Sequence, residues 1–150
     1  MPKGQQMRRK FRENVSRWTA PREAILDLLN KTSGHLSAKE IYAELYPVCP
    51  GLGLTTVYRT LELLLRLGMV QKVCAADGQG RFELKSPDKS DHHHHLICTG
   101  CGTIINYSDF VQEELDLVKR TEETLAQRYG YVIRDHNIEF LGLCEKCRKP

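Results

Sequence analysis

The chain carries the stretch HHHHLICTGC at residues 92–101, four consecutive histidines followed closely by a Cys-x-x-Cys pair. A second Cys-x-x-Cys pair lies at residues 144–147, near the carboxyl end. Each such pair forms a turn that directs two sulfurs toward one point, and two turns complete a four-sulfur zinc site. The spacing therefore predicts a closed, structural zinc site formed by Cys98, Cys101, Cys144 and Cys147. Because a closed shell leaves no open coordination position, no catalysis is expected there.

The six cysteines of this 150-residue chain could instead form three disulfides. Secreted disulfide scaffolds are usually shorter and richer in cysteine, so zinc is the favoured interpretation. Cys49 and Cys74 stand apart from the pairs and are interpreted as small, mostly buried residues. The sequence has no apolar run near the ~20 residues of a membrane span and no signal-peptide pattern. It predicts a soluble, cytoplasmic protein with no membrane partner.

The histidine run is predicted to form part of a strand, in which successive side chains point to opposite faces. His92 and His94 would then point one way, and His93 and His95 the other, so one strand can supply two imidazoles to each of two metal sites. A polar strand without any ligand role is the alternative. Imidazole combined with carboxylate suits Fe²⁺, Mn²⁺, Zn²⁺ or Co²⁺ and does not choose among them. The remaining ligands would come from elsewhere in the chain, with four candidates: His35, Glu83, Glu113 and His136.

The residues before the histidines predict three helices followed by a hairpin. Thr19 is a suitable N-cap for a helix that ends near Lys31, and residues 37–40 form a capping box at the start of the second helix. The third helix is expected over about 55–67, ending at Gly68. Residues 69–74 and 81–84 flank a polar turn and predict a hairpin. This order is typical of a winged helix-turn-helix.

The polar segment 86–91 is the expected boundary between two domains. After it, the pattern predicts strands over 92–98 and 103–107, a helix over about 109–128 and a strand over 131–143. Leu115, Val118 and Leu125 are expected to face inward from the helix. The predicted fold is therefore α+β: a winged helix-turn-helix domain over residues 1–85, a hinge over 86–91, and a small α/β dimerisation and metal-binding domain over 92–150. A domain of about 60 residues gains from both a zinc site and a dimer partner.

Charge differs between the two halves. Residues 1–90 carry 15 Lys and Arg against 9 Asp and Glu, whereas residues 91–150 carry 7 against 10. A basic amino-terminal half indicates a polyanionic partner, although a solvated charged tail is the simpler alternative. The third helix adds outward-facing side chains that can contact bases and phosphates, or that can simply be solvated: Thr55, Thr56, Tyr58, Arg59, Glu62 and Arg66.

Taken together, these segments resemble the ferric uptake regulator family. The resemblance rests on TTVYRTLELL at residues 55–64, on HHHHLIC-x-x-CG at 92–102, and on the closing Cys-x-x-Cys pair. The opening segments RWTAPR at 17–22 and HLSAKEIY at 35–42 match as well, so that the similarity runs from about residue 12 to Cys147. The combination is far more specific than any one segment.

The resemblance implies a homodimeric, metal-dependent transcriptional repressor that binds an AT-rich palindromic DNA operator. It implies a sensory metal site between the domains, formed by His35, Glu83, His93 and His95. A further site in the dimerisation domain maps onto His92, His94, Glu113 and His136, and the structural zinc falls on the four paired cysteines. Tyr58 and Arg59 fall at the DNA-reading positions of the family, and Arg17 falls where a basic side chain enters the minor groove.

The sequence departs from the family pattern at two positions. Many relatives carry an acid where this chain has Asn106, and some carry Asp where it has His94, a change that makes that site softer. Glu83, where the peroxide-sensing branch usually has Asp, favours Fe²⁺ as the regulatory metal, with Mn²⁺ or Zn²⁺ as surrogates. Cys74 lies too early to be equated with the wing cysteine of zinc-sensing relatives. Zinc-, manganese- and peroxide-sensing regulators are the alternatives within the family.

Two alternatives come from other classes. A zinc hydrolase would use the histidines for a catalytic metal and Glu113 as general base. The sequence offers no further nucleophile or substrate motif, so neither enzymatic activity nor a small-molecule substrate is expected. A metal-storage protein would leave the third helix without a role, and substitutions at Tyr58 and Arg59 would then have no effect.

Overall fold

The computed structural model describes residues 8–9, 12–13, 19–85, 92–109 and 111–149. The chain divides into two compact units, Met1–Lys89 and Ser90–Pro150. Arg17 and the expected hinge 86–91 lie outside the described residues. Among the described residues, no helix is both long enough and apolar enough to cross a membrane.

Over residues 19–85, the first unit contains three helices and a three-stranded antiparallel sheet. The helices are α1 (Ala20–Lys31), α2 (Ala38–Leu45) and α3 (Leu54–Arg66), and the strands are β1 (Leu36–Ser37), β2 (Val70–Cys74) and β3 (Gly80–Leu84). The sheet has the order β1-β3-β2, so the hairpin strand β3 lies in the middle. This is the predicted winged helix-turn-helix. The short strand β1 was not predicted, because only its pairing with β3 makes those two residues a strand.

The periodicity of the helices explains the core of this unit. Val57, Leu61 and Leu64 recur at helical spacing on α3, and each is at most 1% exposed. They pack in one cluster with buried residues of the other elements: Ile25, Leu26, Leu29, Ala38, Ile41, Leu45, Leu52, Met69, Val70 and Phe82. Because this apolar face is turned inward, the opposite face of α3 is left for solvent or a partner.

Helix α3 ends as the sequence predicts. Gly68 has a φ of +62°, a conformation that side-chain-bearing residues rarely adopt. Its amide donates to the Leu65 carbonyl at 2.9 Å, and the Met69 amide donates to the Leu64 carbonyl at 2.9 Å. These two bonds form a Schellman motif, which ends the helix and turns the chain directly into β2.

The predicted capping box begins α2 and also joins that helix to the wing. The Ser37 amide donates to Glu40 Oε2 at 2.7 Å, and the Glu40 amide donates to Ser37 Oγ at 3.2 Å. Arg81 of β3 donates to the same Glu40 oxygen at 2.9 Å and to Asp77 at 3.0 Å. One carboxylate therefore fixes both the start of α2 and the position of strand β3.

We expect the substitution Glu40→Gln to lower the free energy of unfolding in a pH-dependent way. The Ser37 N–H, followed by the Ser37 hydroxyl, holds the pKa of Glu40 below its ordinary value of 4.5. A lowered pKa contributes stability that is fully present above the ordinary value and is lost as pH falls through the folded-state value. Urea unfolding should therefore separate wild type and variant by about 1 kcal/mol or less at neutral pH. The gap should close below pH 4.5.

Glu44→Gln is the matched control, because Glu44 lies exposed on the same helix. A gap that stays constant from neutral to acid pH would show that the Glu40 carboxylate has no such role.

The second unit contains a three-stranded sheet and one long helix. Its strands are β4 (His94–Cys98), β5 (Ile104–Tyr107) and β6 (Glu139–Gly142), and its helix is α4 (Val111–Tyr129). The sheet order is β5-β4-β6, with β4 antiparallel to β5 and parallel to β6. The two units together give the α+β architecture that was predicted.

Two expectations about this unit are wrong in part. The strand expected over 131–143 is a strand only at Glu139–Gly142, because β6 pairs only with the four residues 95–98 of β4. Tyr131 and Val132, which were expected to begin it, are 71% and 84% exposed. Leu125, expected to face inward from the helix, is 41% exposed. Periodicity marks an apolar position but does not identify the surface that covers it.

Candidate metal centres

The four paired cysteines lie together in the second unit. Their sulfurs lie within 4.8 Å of one another, and the Sγ atoms of Cys101 and Cys144 are 3.8 Å apart. A tetrahedral zinc ion with Zn–S bonds of ~2.3 Å requires sulfurs about 3.8 Å apart. Parallel pairing of β4 with β6 brings the two Cys-x-x-Cys pairs together, because Cys98 and Gly142 are register partners. The cluster therefore fits the predicted structural zinc.

Backbone N–H groups favour the thiolate form of one cysteine in this cluster. The Cys144 amide donates to Cys98 Sγ at 3.3 Å, and hydrogen bonds from the Cys144 and Cys101 amides lower the pKa of Cys98 to about 6. Hydrogen bonding to the Cys144 sulfur, and then to the other two, raises the pKa of Cys147 to about 12. Thiolate is thus favoured at one end of the cluster and opposed at the other. A bound Zn²⁺ would supply the charge that lets all four sulfurs ionise.

Three histidines form a second cluster in the same unit. His92 Nε2 lies 2.9 Å from His94 Nε2 and 3.2 Å from His136 Nε2. A tetrahedral cation with Zn–N bonds of ~2.0–2.1 Å needs nitrogens about 3.3 Å apart, so the cluster fits three nitrogen ligands. Burial, and then the charges of His94 and His136, lower the pKa of His92. The lowered pKa favours the neutral imidazole, which is the form that binds metals.

Carboxylates contact the outer nitrogens of two of these rings. His94 Nδ1 lies 2.5 Å from Glu114 Oε2, and His136 Nδ1 lies 3.1 Å from Glu122 Oε1. The Tyr107 hydroxyl donates to Glu114 Oε1 at 3.1 Å. Burial, and then this bond to Glu114, raises the pKa of Tyr107 to about 12, so the hydroxyl keeps its proton. Sequence reasoning missed Glu114, Glu122 and Tyr107, because spacing along the chain does not show which side chains of α4 and β5 lie beside the histidines.

Glu113 is not part of this cluster. The structure brings three of the four expected residues of the additional site together and leaves Glu113 exposed on α4. Its neighbour Glu114 is half-buried and is the acid that contacts His94. Adjacent residues on a helix point ~100° apart, so only one of the two can face the ring.

The residues expected for the sensory site form one pair in each unit. In the first unit, His35 Nε2 lies 3.1 Å from Glu83 Oε2, and the two side chains are only 5% and 8% exposed. The side-chain amide of Gln71, the register partner of Glu83, donates to Glu83 Oε1. This leaves the carboxylate held between an imidazole and an amide on a buried strand.

In the second unit, the rings of His93 and His95 lie 5.2 Å apart, edge to face. The rings of His92 and His94 form the other pair, with centroids 4.8 Å apart. This is the division that strand alternation predicts, although β4 begins only at His94. Asn106 is exposed and is the register partner of His95 on β5.

Helix α3 presents the side chains expected to contact DNA. Thr55, Tyr58 and Arg59 are exposed, with Tyr58 at 45%, and Thr56 is half-buried. They occupy the face opposite Val57, Leu61 and Leu64, which lie in the core. Hydroxyl and guanidinium groups on one exposed helix face suit contact with phosphates and base edges.

Comparison with known proteins agrees with this arrangement. The sequence model of the Ferric uptake regulator family matches residues 13–141. The Ferric uptake regulation protein of Bacillus subtilis is 38% identical over 130 residues, 86% of this chain and 83% of that protein. The Peroxide operon regulator of the same organism is 33% identical over 139 residues, 93% of this chain and 89% of that protein.

A solved structure shows the same fold. The ferric uptake regulator from Pseudomonas aeruginosa, solved with manganese, superposes with a TM-score of 0.68 at 27% sequence identity. The match covers 97% of this chain and 99% of that one. The family is one of transcription regulators, so neither the hydrolase nor the storage interpretation is retained. The chain belongs to the ferric uptake regulator family and is a metal-responsive regulator.

Proposed function

We propose that this protein is an Fe²⁺-responsive transcriptional repressor that binds an AT-rich inverted-repeat operator as a metal-loaded homodimer. His35 and Glu83 of the first unit, with His93 and His95 of the second, would hold the regulatory cation. The four paired cysteines would hold a structural Zn²⁺. Thr55, Thr56, Tyr58 and Arg59 would contact the operator, together with Arg17, which lies outside the described residues.

The observation that carries this proposal is the position of a buried ligand pair inside the DNA-binding unit. His35 immediately precedes β1, and Glu83 lies on β3, the central strand of the wing sheet. The same unit presents the exposed face of α3. A cation supplies positive charge, so that buried imidazole and carboxylate groups from the two units could all bind the same ion.

Shared ligation would restrict how the two units can be arranged. We propose that this restriction favours an arrangement in which the two recognition helices of a dimer reach successive major grooves. A tenfold change in DNA affinity requires only ~1.4 kcal/mol of coupling between the metal and DNA sites. Ligand bonds from two units are sufficient for that.

An exposed apolar row on the second sheet supports the dimer. Leu96 of β4 is the register partner of Ile105 on β5 and of Phe140 on β6. These three side chains are 45%, 51% and 51% exposed. Neighbouring large apolar side chains exposed on one sheet indicate an interaction surface. We propose that a second copy of the chain covers it.

Iron is the proposed regulatory metal for two reasons. Several similar proteins are Ferric uptake regulation proteins, two of them 38% and 37% identical to this chain, and Glu83 is the acid that favours the iron branch. Three imidazoles and one carboxylate also suit Mn²⁺ and Zn²⁺, and the similarity to a peroxide regulator keeps that response as an alternative.

The test is a titration of chelator-treated dimer that retains its cysteine-bound zinc, using an AT-rich inverted-repeat duplex at fixed salt. We expect Fe²⁺ under anaerobic conditions, or Mn²⁺ in its place, to raise DNA affinity by at least about tenfold at micromolar concentration. Sub-micromolar Zn²⁺ should have no effect. Activation by nanomolar free Zn²⁺ alone would identify a zinc regulator, and loss of binding after peroxide treatment of the Fe²⁺ form would identify a peroxide sensor.

A further inference from the structure

We propose that Glu114 and Glu122 are positioning residues that make His92, His94 and His136 an all-imidazole site for Zn²⁺ or Co²⁺. The inference deepens the proposed function, because it assigns a ligand set and a cation class to the additional metal site. It also differs from what the family resemblance implies, since it assigns no ligand role to Glu113.

The tautomers of two rings follow from their carboxylate contacts. An ionised carboxylate only accepts hydrogen bonds, so a ring nitrogen 2.5 Å from Glu114 must carry the hydrogen. His94 is therefore protonated on Nδ1 and presents a lone pair on Nε2. The contact of 3.1 Å between His136 Nδ1 and Glu122 gives His136 the same tautomer. Both lone pairs then point away from the acids.

The two free lone pairs converge on one place. Nε2 of His92 lies within 2.9 Å of His94 Nε2 and 3.2 Å of His136 Nε2. His94 is 2% exposed, which restricts its ring to this orientation. The three Nε2 atoms therefore form the donor set of a tetrahedral cation, with one coordination position left open.

Glu114 is held as a support for the ring. One of its oxygens accepts from His94, and the other accepts from the Tyr107 hydroxyl at 3.1 Å. With both oxygens engaged, this carboxylate fixes the orientation of the imidazole, as acids behind metal-bound histidines generally do. Glu122 has the corresponding position behind His136. The helix α4 thus contributes two acids, and both act through histidines.

The consequence is cation selectivity. Imidazole nitrogens suit Zn²⁺ and Co²⁺, whereas Mn²⁺ prefers carboxylate, carbonyl and water oxygens. A site with three nitrogens and no carboxylate ligand should therefore bind Zn²⁺ and Co²⁺ well above Mn²⁺. The selectivity depends on the acids remaining behind the rings.

The experiment measures Co²⁺ and Zn²⁺ affinity in the full-length dimer that retains its cysteine-bound zinc and carries His93→Ala and His95→Ala, so that the added metal reports on the three-histidine cluster. Absorption of bound Co²⁺ reports the ligand set, and Zn²⁺ and Mn²⁺ are measured by competition. We expect Glu114→Ala and Glu122→Ala each to weaken binding by about 10- to 100-fold. Glu114→Gln should recover part of this, because its amide oxygen still accepts from Nδ1. The matched control Glu113→Ala should change affinity by less than about twofold.

A second measurement separates orientation from general damage to the fold. Long-range ¹H–¹⁵N correlation spectra of the metal-free protein identify which ring nitrogen of each histidine carries the hydrogen. We expect His94 to be protonated on Nδ1 in the parent and to lose this preference in Glu114→Ala. Weaker binding with an unchanged His94 tautomer would overturn the proposal. So would a tenfold loss in Glu113→Ala with none in Glu114→Ala.

Failure here is distinguishable from failure of the proposed function. The repressor proposal is tested by metal-dependent DNA binding of the wild-type dimer, and no DNA is present in this experiment. A wild type that responds to Fe²⁺ on DNA while the three-histidine cluster binds Mn²⁺ as tightly as Zn²⁺ would overturn only the present inference.

Discussion

Replacing His93 and His95 together with alanine is expected to abolish metal-dependent DNA binding. The two rings lie 5.2 Å apart, and the rings of His92 and His94 form a separate pair. Without them, His35 and Glu83 are left as a ligand pair confined to the first unit. In the proposed mechanism, metal then no longer couples the two units, so adding Fe²⁺ or Mn²⁺ should leave DNA affinity at its metal-free level. We expect a loss of at least about tenfold in the metal-loaded state, measured by fluorescence anisotropy at fixed salt.

Two controls define this result. The double variant should keep its dimer and one cysteine-bound zinc per chain, measured by sedimentation and by metal analysis, because the cysteine cluster is formed by other residues. Arg59→Ala should instead lower DNA affinity by a similar factor with and without metal, because that exposed side chain lies on α3. A double variant that still responds to metal would show that the regulatory cation is held elsewhere.

Replacing Cys98, one of the four proposed zinc ligands, with serine is expected to unfold the second unit. Cys98 is 5% exposed and is the residue at which β4 pairs with Gly142 of β6. Few described side chains of this unit are fully buried, whereas the first unit has a continuous apolar core. Small domains of this kind depend on a metal for stability, and structural zinc contributes ~10–16 kcal/mol of apparent binding free energy. Bound zinc and the thermal transition of this unit should therefore both be lost.

The first unit should still melt cooperatively in this variant, because its cluster around Val57 and Leu61 contains no zinc ligand. Cys74→Ser is the matched control. The expectation that Cys74 is mostly buried is wrong, because this last residue of β2 is exposed. It also lies outside the cysteine cluster, so the substitution should change the free energy of unfolding by less than about 0.5 kcal/mol. Retention of one zinc per chain and of both transitions by Cys98→Ser would mean that the cluster is not a structural zinc site.

Local features of this protein were predictable because their causes are local. The capping box needs only Ser37 and Glu40 three residues apart, and the end of α3 needs only the freedom of Gly68 to adopt a positive φ. The pairing of His92 with His94, and of His93 with His95, follows from the twofold alternation of extended backbone. Likewise, the Cys-x-x-Cys spacing predicts a four-sulfur site before any strand order is known.

Features that depend on the pairing of distant segments were not predictable in the same way. Strand β1 exists only because Leu36 and Ser37 lie beside Phe82 and Arg81. The strand expected over 131–143 is shortened to Glu139–Gly142, since its partner β4 offers a short edge. Ile138 still accepts a hydrogen bond from the His95 amide at 3.2 Å, but the residues before it belong to no strand of the described sheet.

The sequence by itself determined the residue types of the metal centres, the two faces of the histidine run and the helical periodicity that places Tyr58 and Arg59 outward. Only the tertiary structure decided which acid of α4 meets which ring. Glu113 and Glu114 are equivalent in composition and differ by ~100° around the helix axis. In the structure, Glu114 lies toward His94 and Tyr107, whereas Glu113 is exposed to solvent. Contacts between elements set the rotation of α4 about its own axis. The spacing of residues along the helix does not indicate that rotation.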